Sequence, residues 1–361
     1  MEQMAVEVTK RKHAVEVLTL APLFNSLPNV EEKDGYSIRR FTGLIPSNSY
    51  YVPTFSFFKA LIKLVADVVH VHVVHSLVPL AVYVAKKFKP RWKLVVLTPH
   101  FHDVGFSWHS NFAWVFYRPV LKKIVTAADV VHSISDHESR LLKQKLNLTS
   151  ILIPHAASTD TLNHTWSPPK VFTVIYPGQL LKYKRVDLIV KAVSLMGKTK
   201  PARLLLVGSG EEKKKLQKLA QRLDVNVEFI KPLSREKYLL QVAQSSVMCY
   251  LSESEAFCIT ALEAIAMGVP LVVAKPWGSF FERYSNVKVV PSNPSPYEVC
   301  EALLSFGHTS ISSPDKVPTW SNVALTLETL YLDNLNNRAT ATKLPATEVV
   351  SQLNPELIVQ N

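Results

Sequence analysis

Along the chain, short apolar runs alternate with longer segments in which apolar positions recur every three or four residues, and the whole alternation is made twice. In the first half, Asp67-Val-Val-His-Val-His, Lys93-Leu-Val-Val-Leu-Thr, Ala128-Asp-Val-Val-His-Ser-Ile-Ser and Ser150 to Pro154 read as strands, the first a buried strand of parallel type. Ser76 to Lys87 reads as a crossover helix, and Asp136 to Lys145 as a second helix with Asp136 as its N-cap. Upstream, Met1 to His13 runs into a strand-feeding amphipathic stretch from Ala14, and Phe55 to Val65 is a candidate helix with Lys59 and Lys63 on one side. The pattern breaks at Asn163-His-Thr-Trp-Ser-Pro-Pro-Lys, a polar, Pro-rich linker, and then restarts. Strands are expected at Phe172 to Tyr176, Arg203 to Val207, Asn226 to Ile230, Val247 to Leu251, Leu271 to Ala274 and Val287 to Val290. The intervening helices are Val186 to Met196, Glu211 to Leu223, Arg235 to Gln244, one closing at Gly268, and Pro296 to Phe306, with a last amphipathic helix from Thr319 to Leu335.

Strand–helix alternation in both halves predicts an α/β protein with two doubly wound parallel sheets. The expected division is a first domain over 1–162, a linker over 163–170, a second domain over 171–318, a final helix over 319–337 that crosses back, and a fraying tail over 338–361. The chain opens in a helix. No glycine precedes Gly35, so no glycine-rich phosphate loop can be placed near the start, and the first domain is expected to lack an opening strand and its Gly-rich turn.

At 361 residues and 47% hydrophobic content the chain can bury two cores. Its net charge of +12 is concentrated early: residues 1–170 hold 20 Lys and Arg against 12 Asp and Glu, residues 171–361 hold 21 against 17. Three cysteines, Cys249, Cys258 and Cys300, have neither disulfide nor zinc spacing, so a reducing compartment is the default. No apolar leader follows Met1, and the most hydrophobic window, Leu64 to Ala85, carries Asp67, three histidines and Pro79, which suits a strand and helix rather than a membrane span.

The richest chemistry lies in Ser252 to Ala274, S-E-S-E-A-F-C-I-T-A-L-E-A-I-A-M-G-V-P-L-V-V-A. Glu255 and Glu263 stand eight positions apart, one in a loop before a helix and one a turn inside it. Gly268 and Pro270 close that helix. Backbone N–H groups at such a terminus favour phosphate, and flanking carboxylates accept hydrogen bonds from sugar hydroxyls, which outlines a nucleotide-sugar site.

Three motifs in order resemble the donor domain of a GT-B fold, family 4 retaining glycosyltransferase (glycosyl transferases group 1). Glu255-Ala256-Phe257-Cys258 through Glu263 is similar to E-G-F-G-x-x-x-x-E. Gly178-Gln179 through Lys184 to Asp187 is similar to G-R-x-x-x-x-K-x-x-D, and Val207-Gly208-Ser209-Gly210 to V-G-x-G. In the first half, His72, Thr98-Pro99-His100 and Ile153-Pro154-His155-Ala156 stand where the family's strand-end motifs do. Trp320 opens the last helix as the family's tryptophan does.

The resemblance implies two Rossmann-like domains facing across a cleft, and sugar transfer with retention from a UDP- or GDP-type nucleotide sugar to a lipid-linked or glycan acceptor. Glu263 would take the donor ribose, Glu255 would face the sugar, Lys184 would neutralise the diphosphate, and Gly178, Gln179 and Gly208 would line the donor site. The N–H groups of Phe257, Cys258 and Ile259 would complete the cradle. His100, with His102, would point from the first domain at the transferred sugar. No metal or other cofactor is implied. Gln179, Ala256 and Cys258 depart from the pattern, where the family has an arginine and two glycines; they favour the alternative of a degenerate, non-catalytic member that binds a nucleotide sugar or a partner. A phosphorylase- or epimerase-like enzyme on the same fold lacks a pyridoxal lysine context. The aromatic and basic stretch from Phe106 to Lys123 suits a peripheral contact with an anionic membrane, giving an expected location in the cytoplasm or on the cytoplasmic membrane face. Nothing carries a nucleic-acid motif.

Overall fold

The computed structural model describes residues 1–22, 27–43, 52–88, 90–101, 117, 119–197, 200–306 and 316–341. In the second half, strands β8 (Phe172–Pro177), β9 (Ala202–Val207), β10 (Val227–Ile230), β11 (Val247–Tyr250), β12 (Leu271–Ala274) and β13 (Val287–Val290) form one parallel sheet in the order β10-β9-β8-β11-β12-β13. Its central strands β8, β11 and β12 are buried along their whole length because helices cover both faces, while the edge strands β10 and β13 expose Glu228 and Lys288. The strand order reverses between β8 and β11. The loops leaving those two strands therefore diverge and open a crevice at their carboxyl ends, the place where doubly wound sheets bind ligands.

The first half builds two sheets. Strands β4 (Val65–His72), β5 (Arg91–Thr98), β6 (Val130–Ser133) and β7 (Ile151–Leu152) are parallel and lie in that order. Helix α1 (Glu2–Lys10) comes first in the chain, and strand β1 (Glu16–Ala21) pairs in parallel with β3 (Tyr36–Thr42), itself antiparallel to β2 (Val30–Lys33). The hydrophobic pattern does not reveal this hairpin. Its signal is Asp34-Gly35, both at positive φ (48° and 85°), the two-residue turn whose twist matches paired strands. Leu18, Leu20 and Phe41 of the three-stranded sheet pack with Val69 and Val71 of β4 and with Phe57 and Leu61 of helix α2 (Phe55–Lys63), so one apolar cluster underlies both sheets.

Helices α3 (Val78–Lys86) and α4 (Asp136–Leu146) flank the first half. In the second half the helices are α5 (Val186–Gly197), α6 (Lys213–Arg222), α7 (Arg235–Ala243), α8 (Ile259–Ala266) and α9 (Pro296–Leu304). Asp136 is not the cap of α4: Ser135 is, its Oγ accepting from the Glu138 N–H at 3.0 Å, because Ser135 has extended backbone and Asp136 is already helical. The last helix, α10 (Trp320–Ala341), returns to the first half. Leu330, Tyr331 and Leu335 pack on Leu94, Val96 and Val68, and Glu328 pairs with Arg11 and His13. Among the described residues no helix is long and apolar enough to cross a membrane.

Candidate active site

Both halves send their chemistry to the carboxyl ends of their strands. In the second half, the loop after β8 carries Gly178, Gln179 and Lys184, and the loop after β11 carries Glu255, Phe257 and Cys258 before α8. Lys184 Nζ donates to Glu255 Oε1, with side chains only 11% and 16% exposed. Burial disfavours the Lys184 ammonium, yet the Glu255 charge and hydrogen bond more than offset this and hold its pKa above the ordinary value.

Gly178 and Gly208 are required by close approach, of tyrosine side chains at Gly178 and of backbone at Gly208. A Cβ on Gly208, at φ +149°, would lie 2.0 Å from the Gly178 carbonyl oxygen, and a Cβ on Gly178 would lie 2.5 Å from Tyr250 Oη. Tyr250 and Tyr176 hydroxyls donate to the Pro177 and Gln179 carbonyls, fixing the turn from within. Gln179 itself is exposed. Arg185, a cation near Gln179, is committed elsewhere, donating to the Ser292 carbonyl and Asn293 Oδ1.

Cys258 is the N-cap residue of α8 and is buried, and burial, with the nearby Glu255 charge, pushes its thiol up to about 12. At Cys258, then, a small buried thiol packs against Thr260 Oγ1. Glu263 lies inside α8, 2% exposed, and both of its oxygens are engaged: Arg235 Nη2 is 2.7 Å from Oε1, and Tyr238 Oη donates to Oε2 at 2.9 Å. Arg235 also clamps Asp160 through Nε and Nη2 at 2.8 and 2.9 Å. Sequence patterns do not point to Arg235, Tyr238 or Asp160. Arg235 and Tyr238 do share a face, three residues apart at the start of α7, but nothing in the linear order ties them to Glu263.

In the first half, histidines end successive strands. His72 closes β4, His100 follows β5, and His155 follows β7; His72 Nδ1 and His100 Nε2 are 3.3 Å apart, and the His100 and His155 rings stack at 5.5 Å. Below them runs a hydrogen-bonded chain whose direction is fixed by its end. The Ile153 carbonyl can only accept, so His132 Nε2 donates to it at 2.8 Å and its Nδ1 accepts from Thr98 Oγ1 at 2.8 Å. Thr98 then accepts from His70 Nε2 at 2.6 Å, and His70 Nδ1 accepts from Tyr331 Oη at 2.6 Å. Burial lowers the pKa of His70, His72, His132 and His155, so these rings are neutral at pH 7, as the chain requires. His72 Nε2 is buried without a hydrogen-bond partner among the described residues.

The halves meet at the donor loop. The His155 ring lies edge-on to Phe257 at 5.6 Å and beside Trp320 at 5.3 Å, and Ser135 Oγ donates to the Ala256 carbonyl at 2.7 Å. Of the expected site residues, Glu255, Lys184, Phe257, Cys258, Gly178 and Gly208 are assembled around one crevice with His100 on the facing wall, while Glu263 is turned towards Arg235 and Tyr238. His102 lies outside the described residues, as do Phe106, Trp108, Phe112, Trp114, Phe116 and Arg118. Among the described residues no cluster of His, Cys, Asp and Glu is arranged to hold a metal ion.

Two α/β domains whose strand ends converge on such a crevice define the GT-B class. Residues 162–296 match the model for glycosyl transferases group 1 and residues 1–161 that for glycosyltransferase family 4, and the chain belongs to this family of glycosyltransferases. Among its relatives is a GDP-mannose-dependent monoacylated alpha-(1-6)-phosphatidylinositol monomannoside mannosyltransferase of Corynebacterium glutamicum, 26% identical over 51% of this chain and 53% of that protein. Another is a phosphatidylinositol N-acetylglucosaminyltransferase component of Arabidopsis thaliana, 26% identical over 66% and 56%. The chain thus spans about half the length of these curated relatives. The sucrose-phosphate synthase of Thermosynechococcus elongatus shares the fold, with a TM-score of 0.66 over 94% of this chain and 91% of that one, at 18% identity.

Proposed function

We propose that this glycosyltransferase moves a hexose-type sugar from a UDP- or GDP-linked donor to a lipid-linked or glycan acceptor, with retention at the anomeric carbon. The observation that carries the reading is the buried Lys184–Glu255 pair beside the N-terminus of α8. A diphosphate there would meet the ammonium and the α8 N–H groups, which stabilise the charge that develops on the leaving group. Glu255, partner of that ammonium, is then placed at the sugar next to the diphosphate. Glu263 takes the ribose hydroxyls with its remaining lone pairs. In the transfer, the bond from the anomeric carbon to the phosphate oxygen breaks and the bond to the acceptor oxygen forms on the same face. The acceptor proton passes to the leaving phosphate.

The facing wall supplies neutral imidazoles. His72 Nε2 without a partner suits a sugar hydroxyl, which can donate or accept, and His100 adjoins it. No metal enters this scheme. A lipid acceptor is drawn from the names of the two relatives described above, which both carry phosphatidylinositol while differing in sugar, and with it we propose a location at the cytoplasmic face of a membrane. The alternative, a non-catalytic nucleotide-sugar-binding protein, draws on exposed Gln179 and on the engagement of Glu263 by Arg235 and Tyr238.

Saturation-transfer NMR with UDP-, GDP- and ADP-sugars, followed by transfer assays on wild type and Glu255→Ala, tests the reading. Binding of one donor class, with transfer lost in the variant, supports it. Binding without transfer in either protein selects the alternative, and binding of no donor sinks both.

A further inference from the structure

Glu138 is a buried carboxylate with no part in that transfer. It is 0% exposed, and burial pushes its pKa up to about 7 although two backbone amides pull the other way. Those amides belong to different strand ends. Oε1 accepts from the Phe101 N–H at 2.5 Å, just after β5 and next to His100, and Oε2 accepts from the Ile134 N–H at 2.7 Å, just after β6. His100 sits at φ +49°, a left-handed conformation that a non-glycine residue holds only when its neighbours impose it. The residue that follows it is pinned on both counts, by a fully buried Phe101 ring and by the Glu138 carboxylate.

The same turn of α4 reaches the other domain. The Glu138 N–H is given to Ser135 Oγ, and Ser135 gives its own hydrogen to the carbonyl of Ala256, between Glu255 and Phe257. One helical turn therefore holds the backbone beside His100 with a side chain and the donor loop with its cap. A buried carboxylate is a costly way to satisfy two amides that a water or a hydroxyl can also serve. What it supplies is a short, two-armed link of fixed length, each oxygen accepting from one backbone N–H.

We infer that Glu138 is a positioning residue, which together with Ser135 sets the His100 imidazole at a fixed place relative to the Glu255–Cys258 loop. This rests on the reading of the cleft as the transfer site, and the test separates the two. Glu138→Gln keeps the size and one acceptor but turns an N–H donor towards one of the two amides. The variant is expected to keep its donor KM within about twofold while kcat falls about tenfold or more, since sub-ångström displacement of a group facing the reacting centre is costly in rate rather than in binding. Glu138→Asp, which restores a carboxyl group on a shorter arm, should recover part of kcat, whereas a filler of the core would show no such rescue. Ser135→Ala should lower kcat in the same sense, and the double variant Ser135→Ala/Glu138→Gln should lose less than the product of the single losses, because both act on one bracket.

The readout independent of turnover is the imidazole spectrum of His100 in the full chain. Its ring resonances are expected to move in Glu138→Gln while those of His13, paired with Glu328, stay. Unchanged His100 resonances, a donor KM that rises as much as kcat falls, or multiplicative losses in the double variant would each overturn the inference. If wild type transfers no sugar, the proposed function falls, and the His100 spectrum still decides the bracket. If Glu138→Gln does not fold, Ser135→Ala alone carries the test, and an unaltered His100 spectrum and kcat in it reject the proposal.

Discussion

The ammonium of Lys184 and the carboxylate of Glu255 come from loops after two neighbouring strands, β8 and β11, and meet as a nearly buried ion pair at the point where the strand order reverses. Each partner makes the other tolerable. Removing Glu255 leaves a desolvated cation, so Glu255→Ala is expected to destabilise by about 2–4 kcal/mol as well as to abolish transfer. Lys184→Ala/Glu255→Ala should be more stable than Glu255→Ala alone. Denaturant unfolding of these two variants and of Lys184→Ala checks this, and a double-variant loss equal to the sum of the two single losses would show that the pair is not coupled.

Gly208 tests the same turn from the backbone side. A methyl group at this position, 2.0 Å from the Gly178 carbonyl and at positive φ, can be accommodated only by moving the Gly178 loop away from β9. Gly208→Ala is expected to cost about 2–4 kcal/mol and to weaken donor binding with it. Gly197, whose added Cβ meets nothing within 4 Å, is the control, and Gly197→Ala should leave donor binding unchanged. Thermal unfolding with donor titration reads both.

Much of this architecture is legible in the chain. The central strands β8, β11 and β12 of the six-stranded sheet stand out as buried apolar runs, and Gly178, Lys184, Gly208 and Glu255 all stand in loops that leave the carboxyl ends of β8, β9 and β11. What is not legible depends on contacts between distant elements. Nothing in the linear pattern pairs Arg235 with Glu263, or Glu138 with the amide after His100, because these bonds cross from one element to another. Asp136 reads as readily as Ser135 for the α4 cap because both are good cap residues, and only backbone dihedrals separate them.

Arg235 links the linker region to the residue expected to hold the ribose, since its guanidinium spans Asp160 and Glu263. Arg235→Ala should leave the Glu263 carboxylate buried with Tyr238 as its remaining partner, and a raised donor KM of about tenfold is expected. If Arg235 instead occludes the ribose, donor KM falls in this variant. Initial-rate kinetics or donor titration by NMR distinguishes the two signs.

The Asp160 end of that clamp gives a pH dependence with a definite sign. The hydrogen bonds from Arg235 hold the Asp160 carboxyl down at about 2, below its unfolded range near 4. A depressed folded value means that its stabilisation is present above the unfolded pKa and is lost as pH falls from about 4 to about 2. Asp160→Asn is therefore expected to be less stable than wild type at pH 7 and to converge with it towards pH 2. Both Asp160 and Arg235 side chains are about two-fifths exposed, so the difference is small and salt-dependent. Urea midpoints across pH 2–7 would show convergence, and a constant gap between the curves would exclude the clamp as its source.

The lipid acceptor proposed above would call for a membrane-facing surface, and the first domain carries a candidate. Between Gly35 and His102 there are nine Lys and Arg but one acidic residue, Asp67. Phe55 on α2 and Phe88 after α3 stand 79% and 61% exposed, with Lys59, Lys63 and Lys87 exposed beside them, and Phe58 ties the two helices by an edge-on contact with Phe88 at 5.7 Å. Exposed rings among lysines match the headgroup level of an anionic bilayer, each lysine near the surface contributing about 1 kcal/mol. Vesicles of phosphatidylcholine with phosphatidylglycerol should co-sediment the protein, and phosphatidylcholine alone should not. Lys59→Glu/Lys63→Glu and Phe55→Ser should each weaken that binding about tenfold or more without lowering the thermal midpoint, because none of these side chains is buried. Binding unchanged in both variants would reject this surface as a membrane contact.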